Sequence, residues 1–188
     1  MYKTKKLFPE HSQQSDCTLA ECNAIKNLSK VIVGAFDYES NLTFCISNID
    51  TSPKQCCLKI KKINYITNES EIIIENDLTA TPGTIELSLN TKPADDELFI
   101  SYLECDGEYN VAYYKNGTPS IEKCSCFTYE INENKVEISS DAFLFAVEIL
   151  GADYLSCNYF MLESGKPFTV KFSGKPENIT VNAYRLIQ

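Results

Sequence analysis

The sequence predicts an all-β protein made of two consecutive immunoglobulin-like β-sandwiches. Three observations carry the prediction. From residue 30 onward apolar side chains recur at every second position, the period of a half-buried strand. Turn formers interrupt these runs at about the 8 to 12 residue spacing of sandwich strands. One cluster, "NGTPSIE" at 116–122, divides the runs into two series, with Gly117 and Pro119 opposing strand pairing. A single large barrel is the alternative, made less attractive by that cluster and by the similar strand counts on either side of it.

Residues 1–29 form an N-terminal extension without strand alternation. Within it "DCTLAECNAIKNL" spaces Leu19, Cys22, Ala24, Ile25 and Leu28 for a short helix, with Asp16 or Thr18 as cap. The first sandwich is expected over 30–116. "KVIVGAFDYES" reads as a strand ending at a turn, and "NLTFCISN" sets Leu42, Phe44 and Ile46 inward against Thr43, Cys45 and Ser47 outward. "CCLKIKKI" puts Leu58 and Ile60 inward and Lys59 and Lys61 outward. "SEIIIEN" is a β-branched run, and "GTIELSLN" aligns Ile85, Leu87 and Leu89 on one face. "ELFISYLECD", Gly107 and "EYNVAYYK" make a hairpin on an Asp-Gly turn, a dipeptide suited to positive φ.

The second sandwich is expected over 123–188. Its runs are "CSCFTYEI", a turn at Glu133-Asn134, "KVEISSD", "AFLFAVEI", "GADYLSCNYF", a turn at "ESGKP", "FTVKFSG" and "NITVNAYRLI". Phe168, Val170 and Phe172, then Ile179, Val181 and Ala183, are the expected inward faces.

Bulk composition excludes several classes of function. At 188 residues the chain accommodates two domains of roughly 90 to 100 residues. A formal charge of −9 with no concentrated basic face opposes nucleic-acid binding. No apolar stretch approaches the roughly 20 residues of a membrane span, and "MYKTKKLFPEHSQQSD" is not followed by the apolar core of a leader. Neither nucleic acid nor membrane is an expected partner, and the sequence assigns no compartment. The nine cysteines are scattered and odd in number, which opposes a dense disulfide framework. Zinc spacing is absent, since Cys56 and Cys57 are adjacent and Cys124 and Cys126 stand one residue apart. Most are expected as small buried hydrophobes. Five N-x-[ST] triplets (Asn27, Asn41, Asn68, Asn116, Asn178) are glycosylation acceptors in a secretory context.

No residue stands out as catalytic, cofactor-binding or metal-ligating. The single histidine, His11, lies in the unpatterned extension, away from any candidate nucleophile. Asp95, Asp96 and Glu97 follow Pro93 and read as a solvated strand entry. Asp141 and Asp153 sit in turns, where sequence alone does not set two acids across a cleft. No loop alternates oxygen donors as calcium requires. Tyr109, Tyr113, Tyr114, Tyr154, Tyr159 and Phe160 would stack on sugars if exposed. Neighbours such as Tyr113 and Tyr114 point to opposite faces, one to core and one to surface. For "NYF" (158–160) core packing is the favoured reading and a binding platform the alternative.

The run "VEISSDAFLFAVEILGADYLSCNYFMLESGKPFTVKF" (136–172) resembles the C-terminal immunoglobulin-like domain of β-mannosidases of glycoside hydrolase family 2. The resemblance lies in Ser140, Asp141, Ala142 and Phe143, then Ser156, Cys157, Asn158, Tyr159 and Phe160, then Leu162, Gly165, Thr169 and Val170. Cys157 stands where the family commonly has Asp. "VIVGAFDYESNLTFCISN" and "LFISYLECDGEYNVAYY" are similar to strand pairs of the family's preceding sandwich, so the resemblance covers about residues 30–188. It implies a non-catalytic accessory portion, because the family's two catalytic glutamates lie in a (β/α)-barrel of roughly 250 residues that has no counterpart here. The implied partner is a catalytic barrel domain or subunit, with no cofactor. A stand-alone module binding a glycan or a protein is the alternative. A parent of this family works in lysosomal, secreted or bacterial settings.

Overall fold

A computed structural model describes residues 30–38 and 41–187; the short helix expected within 1–29 and His11 lie outside the described residues. Among the described residues 65% lie in strands, the helical content is one 3-10 turn at Pro176–Asn178, and no helix is long and apolar enough to cross a membrane.

Seven strands build the first sandwich. They are β1 (Val31–Tyr38), β2 (Asn41–Asn48), β3 (Lys54–Asn64), β4 (Ser70–Ala80), β5 (Gly83–Leu89), β6 (Glu97–Cys105) and β7 (Glu108–Tyr114). All pairings are antiparallel, in a three-stranded sheet β1-β2-β5 and a four-stranded sheet β4-β3-β6-β7. Compared with the usual four-plus-three division of an immunoglobulin constant domain, β4 has moved to the second sheet. Leu42, Phe44 and Ile46 of β2, Leu58 and Ile60 of β3, and Phe99 and Leu103 of β6 fill the space between the sheets. The inward faces expected for β2 and β3 are therefore those observed. Thr43, on the other face of β2, is also buried, and its hydroxyl lies 3.0 Å from that of Ser88 on β5. The turn between β6 and β7 has positive φ at both Asp106 (54°) and Gly107 (79°), as a tight two-residue hairpin requires.

Eight strands build the second sandwich. They are β8 (Ser120–Cys124), β9 (Thr128–Asn132), β10 (Lys135–Ser139), β11 (Leu144–Leu150), β12 (Tyr154–Leu155), β13 (Phe160–Leu162), β14 (Phe168–Ser173) and β15 (Thr180–Ile187). They form the sheets β12-β14-β10-β9 and β13-β11-β15-β8. β8 begins at Ser120, inside the stretch 116–122 that reads as turn formers. Val136, Ile138, Val147, Val170, Phe172, Val181 and Ala183 make the core. Phe168, expected inward, sits at the rim: it is 38% exposed, with its ring 4.4 Å from that of Phe160.

A third apolar cluster joins the sandwiches. Ile63 and Tyr65 of the first, with Leu98 and Ile100, meet Phe143, Phe145 and Leu186 of the second. Ile63 lies on the outward face of β3 and Leu98 and Ile100 on that of β6, so those strands are apolar on both sides, and the second sandwich covers the outer one. In β11 the register against β13 shifts between Leu144 and Val147, which lets Phe145 and Ala146 both reach the junction.

Two further expectations are corrected. Lys61 reads as an outward, solvated residue, but it is 6% exposed because its outward face is the face the second sandwich covers. Of the seven described cysteines only Cys56 and Cys105 are buried; Cys45, Cys57, Cys124 and Cys157 are half-buried and Cys126 is exposed. Cys45 and Cys57 sit on the sides of β2 and β3 opposite their core-facing residues, Cys126 and Cys157 lie between strands, and Cys124 and Cys157 pack only on the margin of the second core.

Candidate functional site

Two polar constellations stand out on this frame. The first is at the junction of the sandwiches. Lys61 donates to both carboxylate oxygens of Glu163, at 2.8 and 2.7 Å, and the Tyr102 hydroxyl donates to Glu163 Oε1 at 3.0 Å. Lys166 reaches Glu163 Oε2 from the solvent side at 2.6 Å. Lys61 also sits over the Tyr102 ring, 5.7 Å from its centroid. Burial pushes Glu163 toward the neutral form, yet the bonds from Lys166, Lys61 and Tyr102 outweigh it and hold the carboxyl below the ordinary value. Burial depresses the Lys61 ammonium, and burial beside Glu163 raises the Tyr102 phenol. The group is a charged latch with each polar partner satisfied. A second tie crosses nearby, where Asn68 Oδ1 accepts from the Phe143 amide at 2.8 Å.

The second constellation lies on the outer face of the sheet β13-β11-β15-β8. Glu148 of β11 accepts from the Tyr159 hydroxyl at 2.8 Å and from Asn182 Nδ2 at 2.9 Å, with the Tyr184 hydroxyl at 3.5 Å. Asn182 faces Glu148 across the β11–β15 pair, so strand pairing places them side by side. Tyr159 arrives from the turn before β13 with φ at +54°, uncommon outside glycine. Asn158 holds that turn: its side chain accepts from the Ile149 amide at 2.8 Å and donates to the Ile149 carbonyl at 3.0 Å, in place of a strand partner. The three residues of "NYF" thus divide their work. Asn158 holds the backbone, Tyr159 joins the outer-face cluster and Phe160 packs in the core. The result is two phenol rings, an amide and a carboxylate on one half-buried face, groups able to stack on and hydrogen-bond to a sugar.

The remaining candidates are dispersed. Asp95 and Asp96 form a turn before β6, where the Asp95 carbonyl accepts from Tyr65 and the Asp96 carboxylate from Asn64. Asp141 and Asp153 are exposed, Asp141 on a depression of about 420 Å³ beside Cys126 and Ser140, whose hydroxyl is committed to the Cys126 carbonyl. Tyr109 and Tyr154 are exposed, at 62% and 65%. Tyr114 packs on the first core, while Tyr113 meets Phe145 edge to face at 5.0 Å, so the face expected as surface is occupied by the second sandwich. Among the described residues no three of His, Cys, Asp and Glu converge to hold a metal ion.

No family model matches the sequence, and no curated protein matches it. Solved structures do. A β-D-mannosidase from Dictyoglomus thermophilum superposes with a TM-score of 0.62 over 83% of this chain at 13% identity. The chain spans 22% of that protein's length. A red sea bream transglutaminase is similar at a TM-score of 0.32 and 10% identity, over 95% of this chain and 30% of its own.

Proposed function

We propose that this chain is a non-catalytic accessory portion of a β-mannosidase-like glycoside hydrolase, a rigid two-sandwich unit that packs beside a catalytic barrel. What supports the reading is one observation: the superposition on the β-D-mannosidase extends over 83% of the chain, a larger share than either sandwich contains, so the pair is matched together. A fixed mutual orientation is useful to a unit that shapes the rim of a neighbouring domain, and the Lys61–Glu163 latch and the apolar junction supply it. The test is turnover of a chromogenic β-mannoside by the purified chain, beside a boiled control. Turnover at the level of the control is expected; turnover above it overturns the reading.

A second reading rests on the face around Glu148. Two tyrosines, Asn182 and the carboxylate suit a glycan, making the chain a carbohydrate-binding module. Calorimetric titration with manno-oligosaccharides separates the two. Saturable heat that disappears in Tyr184→Ala favours the module; absence of heat favours the accessory role.

A further inference from the structure

We propose that Cys56 and Cys105 form a cross-strand disulfide stapling β3 to β6 inside the first sandwich. The two residues are direct partners in the β3–β6 pairing, and among the described residues no other two cysteines stand opposite one another. Both are buried at 5% exposure and belong to the same core cluster.

The type of pairing fits. The Tyr65 amide bonds to the Asp96 carbonyl across the β3–β6 pair, whereas the Asn64 amide turns the other way, to the Glu69 carbonyl. Along a strand the backbone groups of successive residues point to alternate neighbours. Odd-numbered residues of β3 therefore bond toward β6, and Cys56 belongs to the set that does not. The β6–β7 hairpin gives the same answer: its two-residue turn makes Cys105 and Glu108 the closing bonded pair, so the backbone of Cys105 faces β7. Cys56 and Cys105 are then a non-hydrogen-bonded pair, whose Cα atoms lie about 4.5 Å apart with side chains on one face, at the short end of the disulfide range. After burial itself, the neighbouring Cys105 thiol is the largest influence on the Cys56 thiol. Cys57 is set on the opposite face, paired with Glu104.

In the structure the thiols are free, and the bond closes by exchange with a small-molecule disulfide such as oxidised glutathione. The first protein thiolate attacks one sulfur of the oxidant, forms a mixed disulfide and releases one glutathione. The second thiolate attacks the protein sulfur of that mixed disulfide and releases the other. The two electrons and the two thiol protons leave in two molecules of reduced glutathione. Burial pushes the Cys56 thiol up to about 12, so exchange runs through an opened or unfolded state.

The experiment refolds the full chain from reduced, denatured protein in glutathione redox buffer and maps peptides without reduction. A linked peptide joining residues 55–59 to the segment containing Cys105 is expected. It should persist in Cys57→Ser and vanish in Cys56→Ser, and the oxidised protein should melt roughly 5 to 10 °C above the reduced one. A link that survives Cys56→Ser, or fully reduced thiols in protein refolded with excess oxidised glutathione, overturns the proposal.

Discussion

Lys61 Nζ lies 2.7 Å from Glu163 Oε2, and the two residues belong to different sandwiches, with side chains 7% and 14% exposed. Removing one partner of a buried pair leaves an uncompensated charge, so the latch matters more in its loss than in its net contribution. Glu163→Gln should cost about 3 kcal/mol in urea unfolding.

The same carboxylate sets an acid limb. Its folded-state value lies below its unfolded one, so its contribution is complete above the unfolded value of about 4.3 and is lost as pH falls through the folded value. Melting temperature should fall more steeply between pH 5 and 3 in the wild-type chain than in Glu163→Gln.

Phe145 couples the sandwiches through Tyr113. Phe145→Ala removes the edge-to-face contact and hollows the junction, at a cost of about 3 to 5 kcal/mol. Calorimetry should show one unfolding transition for the wild-type chain and a broadened or split one for the variant, because the apolar junction that couples the two cores is weakened.

Asn158 stands in for a strand. Asn158→Ala strands both backbone groups of Ile149, which is 1% exposed, and should cost about 2 to 3 kcal/mol. Asn158→Asp keeps the acceptor and loses the donor, so chemical denaturation should find it poorly rescued.

Two glycines separate conformation from space. A Cβ on Gly151 would stand 1.9 Å from the Asn178 carbonyl oxygen at φ +85°, whereas one on Gly165 at φ +70° meets nothing within 4 Å. Gly165→Ala should cost about 1 to 2 kcal/mol for the left-handed backbone alone. Gly151→Ala should cost distinctly more, since backbone must move; paired thermal melts compare them.

Alternation made the strands legible. The alternation through Leu42, Phe44 and Ile46 specifies a face without any tertiary information, and Asp106-Gly107 specifies a hairpin by backbone chemistry alone. The junction was harder to see because alternation says which residues share a face and not what covers it. Lys61 looks solvated until Ile63, Tyr65, Leu98 and Ile100 are placed on that same face. That was the available signal: "ELFISYLEC" is apolar at successive positions, the mark of a strand covered on both sides. The Glu148 cluster left no such trace, since it brings together residues from β11, β15 and a turn that only the sheet order makes neighbours.

The doubly covered sheet also sets a timetable. Synthesis delivers β3, β6 and β7 before Phe143 and Phe145, so a first sandwich that closes early presents Ile63, Leu98 and Ile100 to water while the rest of the chain is still being made. Until β11 arrives, that strip is an adhesive surface, and the nascent chain is most exposed to wrong partners during that interval.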